Sequence, residues 1–248
     1  MKIGIIGGSA LGRMDSLQSP HREMVSTPYG APSCPVTFGH MAGNEVVFIP
    51  RHGSGHTLAP HEINYRANIC ALKQLGVTHV IGVAAVGGIS DNMSPLKLVF
   101  PDQIIDYTWS RQHTFHDNQV QRVRHVDFTF PYDATMRQQM ADVAQQLRLA
   151  FEAEGTYAAT QGPRLETAAE IRRLQRDGCD IVGMTGMPEA VLARELDMKY
   201  ACCALVVNWA AGIQPGTTIA MQEIENNLKT GMQTILRLLE NVLPVMTD

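Results

Sequence analysis

The sequence predicts a single three-layer α/β domain that spans residues 1–248. Short apolar runs typical of buried strands alternate with segments typical of helices along the chain. A chain of 248 residues with 45% hydrophobic residues can bury a sizeable core. No internal repeat, low-complexity tract or linker interrupts the alternation. These observations favour one continuous α/β unit.

Five apolar runs are predicted as strands, and each leads into a turn or a polar residue. The runs cover residues 3–6, 46–49, 77–83, 181–184 and 201–207. They are followed by glycine-rich or polar segments: Gly7-Gly8-Ser9, Pro50-Arg51-His52, Ala84 to Gly88, Thr185 and Asn208. Ligands of α/β proteins bind beyond strand ends, so these positions are the first candidates for a site.

The first two predicted helices have recognisable ends. Residues 62–75 are predicted as a helix that Gly76 terminates, because glycine readily adopts the left-handed conformation that follows a helix. Asp133 can cap the next helix by accepting a hydrogen bond from a free backbone N–H group. The apolar positions of that helix fall on one face: Met136, Met140, Val143 and Leu147.

Three further segments complete the predicted helices and loops. Thr167 and Glu170 match the S/T-x-x-E capping box at a helix start. Pro188 suits the first turn of another helix, and residues 219–243 are predicted as a long C-terminal helix. Residues 107–132 are less regular and are predicted as an insertion loop rich in histidine and arginine.

Composition and charge exclude several classes of protein. The net charge of -4, without a block of like charges, gives no reason to expect a nucleic-acid partner. The apolar run at residues 3–6 is too short for a signal-peptide core or a membrane span, so a cytoplasmic protein without a membrane partner is expected. Five cysteines without metal-type spacing indicate reduced thiols and no metal site.

The polar residues at the strand ends suggest an anion site. Glycine-rich turns at Gly7-Gly8 and Gly87-Gly88 let backbone N–H groups approach an anion closely. Arg51 offers a planar fork of donors that suits phosphate, and hydroxyl groups come from Ser9 and Thr185. This combination indicates a cradle for inorganic phosphate or a phosphoryl group.

Other interpretations of the same residues have weaker support. The segment Gly7-x-Ser9-x-x-Gly12 matches a dinucleotide fingerprint only in part, because serine replaces the middle glycine and no helix pattern follows. Three histidines lie within residues 52–61, but intervening glycines disfavour the helix of a zincin-type zinc site, and no glutamate completes the motif. The G-x-S-x-G elbow of α/β-hydrolases is absent from the sequence.

Several single residues also have simple structural interpretations. Glu166 can be a solvated carboxylate beside a helix start, where it interacts favourably with the helix dipole. Met184 and Trp209 can be packing residues. Asn208 differs, because an amide at the end of an unbroken apolar strand requires buried hydrogen-bond partners.

Longer motifs are specific enough to point to a family. They are Ile5 to Ser9, Arg51-His52-Gly53 with His56-Thr57, Asn64 to Asn68, Ala84 to Gly88, Gly162 to Thr167, Gly183-Met184-Thr185 with Met187-Pro188-Glu189, and the strand that ends at Asn208. On these motifs the chain resembles the trimeric purine nucleoside phosphorylase and methylthioadenosine phosphorylase family over nearly its whole length. Within this family the chain resembles in particular the bacterial S-methyl-5'-thioinosine phosphorylases. The resemblance implies a central mixed sheet flanked by helices, a homotrimer, and phosphate-dependent nucleoside cleavage without metal or organic cofactor.

The resemblance also assigns roles to single residues. It implies a phosphate site made of Ser9, Arg51, His52, Ala84, Ala85 and Thr185. It places Met184 along the ribose, and Leu165, Trp209 and Ala210 in the substrate site. It implies that Glu166 and Asn208 bind the base and, with His52, carry the catalytic roles. His125 aligns with a histidine that reaches the 5' pocket of the neighbouring subunit.

Hydrogen-bond polarity predicts the type of base. A 6-oxopurine presents a proton at N1, which Glu166 can accept, and acceptors at N7 and O6, to which Asn208 can donate. Related methylthioadenosine enzymes carry carboxylates where this chain has Asn208 and Ala210, so 6-oxopurines are expected over adenine. Ala84 replaces a threonine and Leu165 an aromatic residue of those enzymes, which leaves the shape of the sugar pocket open.

The predicted reaction is phosphorolysis of S-methyl-5'-thioinosine to hypoxanthine and 5-methylthioribose 1-phosphate. Inosine, guanosine or methylthioadenosine phosphorylase activity is an alternative within the family. A binding protein without activity and a hydrolase that uses water are alternatives from other classes. The full set of phosphate-site and base-site residues favours the phosphorylase.

Overall fold

The computed structural model describes residues 1–8, 11, 17–116 and 123–246. Within them, strands β1 to β11 cover Ile3–Gly7, Gln18–Glu23, Val36–Met41, Asn44–Pro50, His79–Gly88, Leu98–Val99, Gln103–Asp106, Phe151–Glu152, Thr156–Ala159, Ile181–Gly183 and Lys199–Trp209. Helices α1 to α5 cover Tyr65–Gln74, Ala134–Gln146, Ala168–Arg176, Glu189–Glu195 and Met221–Val242, and a short 3-10 helix follows at Leu243–Val245.

The strands form one sheet in which β5 is the branch point. One path through the sheet runs β2-β3-β4-β1-β5-β10-β9-β7, while β11 also pairs with β5 and leads through β6 to β8. Strand β5 is parallel to β1 and β11 but antiparallel to β10. The mixed central sheet that the family resemblance implies is therefore confirmed.

Strand β11 separates two hydrophobic cores, because its side chains alternate between the two faces of the sheet. Tyr200, Cys202, Ala204 and Val206 enter one core, which contains Ile69 of α1 and Leu192 of α4. Ala201, Cys203, Leu205 and Val207 enter the other, which contains Met136 of α2 and Leu238 of α5. Helices therefore cover both faces, as predicted for three layers. That residues 1–248 form a single domain remains a prediction.

All five predicted strands are present, but their ends differ from the prediction in one important place. Strand β5 continues to Gly88, so the predicted glycine-rich turn at Gly87-Gly88 is wrong. Both glycines lie in the ladder, where Gly87 pairs with Asn208 and Gly88 with Trp209. A Cβ atom at Gly88 would overlap the carbonyl oxygen of Met93, so glycine here permits close chain contact rather than a turn.

The sequence pattern missed six strands. Strand β2 is exposed at every residue and therefore lacks an apolar signal. Strands β6 and β8 contain two residues each, which is too short for a period to show. Strand β3 forms an antiparallel pair with both β2 and β4, and β7 and β9 pair with each other in parallel. Tertiary pairing, rather than local pattern, produces most of these elements.

The helix ends largely match the sequence. The side chain of Asp133 accepts a hydrogen bond from the backbone N–H of Met136, and Thr167 forms the complete capping box with Glu170. Helix α1 begins at Tyr65 and is capped by Asn64, slightly later than predicted. Pro188 precedes α4 as its N-cap residue, and α5 begins two residues inside the predicted segment.

The predicted insertion loop and thiols also agree with the structure. Residues 107–116 and 123–132, the described parts of the loop, contain no helix or strand. The five cysteines are free, and burial raises the pKa of the Cys203 thiol to about 12, which keeps it protonated at neutral pH. Across the described part of the chain, none of the helices is both long and apolar enough to span a bilayer.

Candidate active site

A cavity of about 340 Å³ lies where the ends of several strands meet. Residues within or just beyond β1, β4, β5, β10 and β11 contribute polar groups and backbone: Gly8, Arg51, His52, Ala84, Ala85, Gly87, Met184, Thr185, Asn208 and Ala210. The loop before α3 adds Pro163, Leu165 and Glu166, and α5 adds an apolar wall. The structure therefore brings together most of the residues that the sequence predicts for one site.

Arg51 lies at the floor of the cavity and is 2% exposed. Its Nε and one terminal nitrogen donate to the two carboxylate oxygens of Glu189, both at 2.7 Å. The guanidinium also donates to the carbonyl oxygens of Ile6 at 3.3 Å and Val83 at 2.9 Å. Burial opposes the charge of Arg51, but Glu189 raises its pKa above the ordinary value, so it remains a cation.

These contacts reduce the number of N–H donors and the net charge that Arg51 can offer an anion. Four of its five N–H groups are used within the protein, which leaves one for a ligand. Its charge is neutralised by Glu189, whose second partner is the hydroxyl of Tyr200 at 2.8 Å. Arg51 joins β1, β4 and the middle of β5 to the start of α4. A direct contact with phosphate remains a prediction.

His52 lines the same end of the cavity with one ring nitrogen already committed. Its Nδ1 lies 2.9 Å from the carbonyl oxygen of Leu58, so in the neutral ring Nδ1 carries the proton and Nε2 is an acceptor. The pKa of His52 is lowered to about 4, mainly by burial and also by the nearby Arg51, against the opposing effect of the Leu58 carbonyl. The His56 ring stacks on it at 4.4 Å between centroids.

The remaining predicted phosphate residues surround this end. Thr185 is buried, and its backbone N–H donates to the hydroxyl of Tyr157 at 3.5 Å. Ala84 is buried, whereas Ala85 is exposed within an otherwise buried strand, as expected where a strand borders a cavity. Gly8 supplies backbone from the end of β1. Ser9 lies outside the described residues, so its assignment stays a prediction.

A β-bulge in β11 orients the amide of Asn208. The register with β5 shifts between Val206 and Asn208, which leaves Val207 as an extra residue. Adjacent residues of a bulge do not follow strict alternation, so Val207 and Asn208 both line the cavity. The amide nitrogen of Asn208 donates to the carbonyl oxygen of Trp209 at 2.7 Å. Its second N–H and its oxygen are suited to a ligand.

Glu166 is half-buried opposite this strand end. The hydroxyl of Thr160 donates to Glu166 Oε1 at 2.7 Å and also approaches the carbonyl oxygen of Gly183 at 3.3 Å. This bond fixes one carboxylate oxygen and leaves the other as an acceptor. Glu166 therefore is not a freely solvated residue at a helix start. It also lines a neighbouring cavity of about 400 Å³ that includes Trp109.

The opposite wall of the cavity is apolar and comes from the C-terminal helix. Side chains on one face of α5, and Ile219 two residues before it, line the wall; the helix contributes Met221, Ile224, Leu228, Met232 and Ile235. Leu205 and Val207 of β11 complete it. No titratable side chain contributes to this part of the described lining. The wall can accept an apolar substituent but offers no hydrogen-bond partners.

Two predicted substrate residues do not line this cavity within the described chain. Trp209 is partly buried and contributes its carbonyl oxygen to Asn208 instead. His125 is exposed in the predicted insertion loop. A role for His125 at a neighbouring subunit stays a prediction. Leu165 and Met184 do line the cavity. Leu165 is 39% exposed, and Met184 is partly buried.

The sequence interpretation missed residues that position the site rather than line its strand ends. Thr160 orients Glu166, Glu189 neutralises Arg51, and Arg111 binds the loops on which Thr160 and Met184 lie. The motif Met187-Pro188-Glu189 did mark Glu189, but no local signal relates it to Arg51, 138 residues away. The described residues include no group of three or more His, Cys, Asp or Glu arranged to hold a metal ion. The absence of a cofactor stays a prediction.

Comparisons with known proteins agree with this geometry. The sequence model of the family described as Phosphorylase superfamily matches residues 2–244. A probable S-methyl-5'-thioinosine phosphorylase of Xanthomonas campestris is 50% identical over 226 residues, which are 91% of this chain and 90% of that protein. The 6-oxopurine nucleoside phosphorylase of Pyrococcus furiosus is 43% identical over 250 residues, which are 99% of this chain and 93% of that protein.

A solved structure gives the same result for the fold. Methylthioadenosine phosphorylase from Schistosoma mansoni in complex with adenine superposes with a TM-score of 0.94. It is 29% identical in sequence, and the match covers 99% of this chain and 91% of that chain. Because the family model matches almost the whole chain and relatives at 50% identity cover most of it, the protein belongs to the phosphorylase superfamily.

Proposed function

We propose that this chain catalyses the phosphorolysis of 6-oxopurine nucleosides, with S-methyl-5'-thioinosine as the preferred substrate. The products are hypoxanthine and 5-methylthioribose 1-phosphate. The observation that carries the proposal is the pair of Asn208 and Glu166 at the base end of the cavity, with alanine at position 210. The end of the same cavity at Arg51 and His52 suits phosphate, and the apolar wall suits the methylthio group of the substrate.

The base end favours a 6-oxopurine because of the polarity of its hydrogen bonds. The free oxygen of Glu166 accepts the N1 proton of hypoxanthine or guanine, while the second N–H of Asn208 donates to N7 or O6. Adenine has no proton at N1, so it would place an acceptor against the Glu166 carboxylate. Leaving such a group unpaired in a buried site gives strong discrimination between bases.

The chemistry follows from holding phosphate and ribose in one geometry. A phosphate oxygen forms a bond with C1' while the bond between C1' and N9 breaks and its electron pair moves to the purine. The ribose gains oxocarbenium character, which the adjacent phosphate anion stabilises. The electron density on the leaving purine spreads toward N7 and O6, where Asn208 donates. The purine then takes up, through solvent, the proton that hydrogen phosphate gives up when it becomes the sugar phosphate. Fixed geometry replaces the encounter of two free reactants.

His52 contributes to phosphate binding through an acceptor rather than a cation. Its Nδ1 proton is held by the Leu58 carbonyl, and its low pKa keeps Nε2 unprotonated at neutral pH. A neutral Nε2 can accept a hydrogen bond from a protonated phosphate oxygen. Donors come from the hydroxyl of Thr185, backbone N–H groups near Gly8 and Ala85, and the remaining N–H of Arg51.

The apolar wall supports a methylthio group at the 5' position. Leu228 and Met232 are partly buried and face the cavity on the side of α5. A methylthio group buried there leaves water, whereas the 5' hydroxyl of inosine would lose hydrogen bonds without finding a partner among these side chains. A purine nucleoside phosphorylase for inosine or guanosine is the second candidate, and the similar Pyrococcus furiosus protein is a 6-oxopurine nucleoside phosphorylase.

A comparison of four nucleosides tests the proposal. Methylthioinosine, inosine, guanosine and methylthioadenosine are incubated with and without inorganic phosphate, and free purine is measured. We expect phosphate-dependent release with the highest kcat/KM for methylthioinosine. Preferred cleavage of methylthioadenosine would contradict the base assignment. Turnover without phosphate would favour a hydrolase, and binding without turnover a non-catalytic protein.

Asn208→Asp provides the matched test within the protein. A carboxylate at this position can accept from the N6 amino group of adenine, so we expect the ratio of kcat/KM for methylthioadenosine to that for methylthioinosine to rise by about tenfold or more. Asn241→Asp, an exposed residue of α5, is the control. An unchanged ratio in Asn208→Asp would show that Asn208 does not face the base.

The assembly and cellular role are also part of the proposal. We infer a homotrimer that acts in purine salvage in the cytoplasm, binding only a nucleoside and phosphate. Apolar side chains of the predicted insertion loop support an assembled state, because Trp109 is 65% exposed and Phe130 is 72% exposed in the single chain. Light scattering on the purified protein tests the trimer, and a monomer mass would contradict it.

A further inference from the structure

We propose that Arg111 is a positioning residue that clamps the base-binding end of the cavity to its ribose-binding and phosphate-binding end. This inference rests on the proposed function and adds a residue to it. Arg111 lies in the segment that the sequence predicts as an insertion loop, between β7 and α2. It does not line the cavity within the described chain, yet it contacts two segments that do.

The guanidinium of Arg111 is 8% exposed and binds oxygens of two segments. In the first segment it donates to the carbonyl oxygen of Gln161 at 2.8 Å, the carbonyl oxygen of Thr160 at 3.2 Å and Gln161 Oε1 at 3.2 Å. In the second segment it donates to the carbonyl oxygens of Met184 at 2.7 Å and Met187 at 2.6 Å. Every guanidinium nitrogen is therefore engaged.

A contact with α1 fixes the orientation of the guanidinium. Arg111 lies 3.2 Å from the hydroxyl oxygen of Tyr65, which donates its own proton to the carbonyl oxygen of Pro60 at 2.9 Å. The Tyr65 oxygen can therefore only accept from Arg111, and it shares the two hydrogens of one terminal nitrogen with the carbonyl oxygens of Met184 and Met187. The guanidinium carbon also lies 5.6 Å from the centre of the Tyr65 ring. The clamp is thus tied to a helix that is rigidly packed in the core.

The clamp begins where the sheet ends. Strands β9 and β10 pair in parallel up to Ala159 and Gly183, and the N–H of Thr160 makes one further bond to the carbonyl oxygen of Gly183. Beyond that point the two chains no longer form a ladder. Arg111 binds the carbonyl oxygens of the next residues on both chains, Thr160 and Met184, and so replaces the missing backbone bonds.

Each clamped segment carries groups that face the ligand. Thr160 lies in the first, and its hydroxyl fixes the carboxylate of Glu166. Met184 begins the second, which continues into Thr185. Arg111 therefore sets the distance between the group that binds the purine and the groups that bind ribose and phosphate. This distance determines how far the anomeric carbon lies from phosphate, and small misplacements of reacting groups are costly.

Arginine is the side chain that this role requires. Its planar fork presents five donors in fixed directions, while lysine presents three donors from a single point. A lysine at position 111 keeps the charge and approximate length but cannot reach both chains at once. Arg111→Lys and Arg111→Met therefore separate the effect of the fork from the effect of the charge.

Arg137 of α2 provides a matched control. It also donates to backbone carbonyl oxygens of two segments, those of Phe100 and Ala153, but it does not line the cavity or contact the clamped loops in the described chain. Arg137→Met removes comparable bonds elsewhere in the fold. Thermal unfolding of all variants measures how much stability each substitution costs. The activities of the Arg111 variants are then compared with that of Arg137→Met at a similar loss of stability.

The experiment measures kcat/KM with methylthioinosine and with methylthioadenosine at saturating phosphate, and amide hydrogen exchange of the unliganded proteins. We expect both Arg111 variants to lose about 10- to 100-fold in kcat/KM for methylthioinosine, and to lose part of the preference for methylthioinosine over methylthioadenosine. Exchange should accelerate at residues 160–166 and 184–187 together. Arg137→Met should change neither the base preference nor exchange in these two segments.

Two results would overturn the clamp. One is a loss of activity in Arg111→Lys no larger than in Arg137→Met, with unchanged base preference. The other is exchange that accelerates in only one of the two segments or in neither. If the wild-type protein does not cleave methylthioinosine, the proposed function fails, but the exchange measurement still decides whether Arg111 joins the two segments.

Discussion

The two ends of the cavity are built in different ways. At the polar end, Arg51, His52 and Asn208 are each less than one-tenth exposed, and each is bonded to backbone carbonyl oxygens. At the apolar end, Ile224, Leu228 and Met232 of α5 are only partly buried and line the cavity without polar partners. One end is held by directional bonds from several strands, the other by one face of a helix.

This difference separates two kinds of specificity. Directional groups held before a ligand arrives discriminate strongly, because a wrong partner leaves them unpaired. An apolar wall discriminates mainly by size and by the apolar area that leaves water, which yields smaller ratios. We therefore expect the base and the phosphate to be chosen more strictly than the 5' substituent.

The largest expected effect comes from breaking the buried ion pair beneath the polar end. Glu189→Gln leaves the Arg51 cation buried without its carboxylate, and removing one partner of such a pair typically destabilises a protein by about 3–5 kcal/mol. Chemical denaturation measures the free energy of unfolding. Glu45→Gln, which removes a 53% exposed partner of Lys2, should cost only about 0–1 kcal/mol. Similar costs for the two variants would show that the Arg51 pair is not what organises this end.

The next effect tests the orientation of Glu166, the carboxylate proposed to bind the base. Thr160→Val keeps the shape of the side chain but removes its bond to Glu166. Because hydrogen bonds to charged groups contribute about 1.5–3 kcal/mol, we expect kcat/KM for a 6-oxopurine nucleoside to fall by about 10- to 100-fold. Thr114→Val removes an equivalent threonine bond to Glu195 away from the cavity and should leave kcat/KM unchanged. Equal activity in both variants would mean that Glu166 needs no support.

A smaller effect is expected at the apolar wall. Met232→Gln places an amide where the methylthio group would lie, so the ratio of kcat/KM for methylthioinosine to that for inosine should fall by about tenfold. Leu236→Gln lies on the same helix outside the described lining and should keep the ratio. If Met232→Gln lowers activity with both nucleosides equally, the wall shapes the cavity without selecting the 5' group.

The smallest effect is the dependence of stability on pH. The pKa of His52 is about 4 in the folded protein, below the ordinary value of about 6.5, so between these two pH values the unfolded chain binds a proton that the folded chain does not. Stability should therefore decrease as pH falls from about 6.5 to 4 and lose this dependence below 4. His52→Gln should remove this component of the slope, whereas His21→Gln, an exposed residue, should keep it. An unchanged slope in His52→Gln would contradict the burial argument.

Much of the fold follows from local sequence, and the reason is physical. Buried strands near the centre of the sheet, such as β1 and β11, show continuous apolar runs, and helix caps such as Asp133 and Thr167 act within three residues. The strands missed are exposed, very short or dependent on a partner for their bonds, as β2 shows. Local pattern carries no information about such pairing.

The candidate site likewise contains residues that local sequence predicts and features that only the tertiary structure shows. Arg51, His52, Thr185 and Asn208 could be found from sequence because they follow apolar runs, and strand ends meet at one edge of a sheet. The bulge at Val207 could not, because it is visible only in the register between β11 and β5. Without it, strict alternation would turn Asn208 away from the face that Val207 occupies.

The sequence by itself determined the α/β class, the helix caps and which side chains stand at strand ends, because these depend on neighbours a few residues away. Only the tertiary structure decided that Glu189 neutralises Arg51, that Thr160 orients Glu166, and that α5 closes the cavity with an apolar wall. These relations join residues distant in sequence, and they depend on directional contacts that form only when the sheet and its helices are packed.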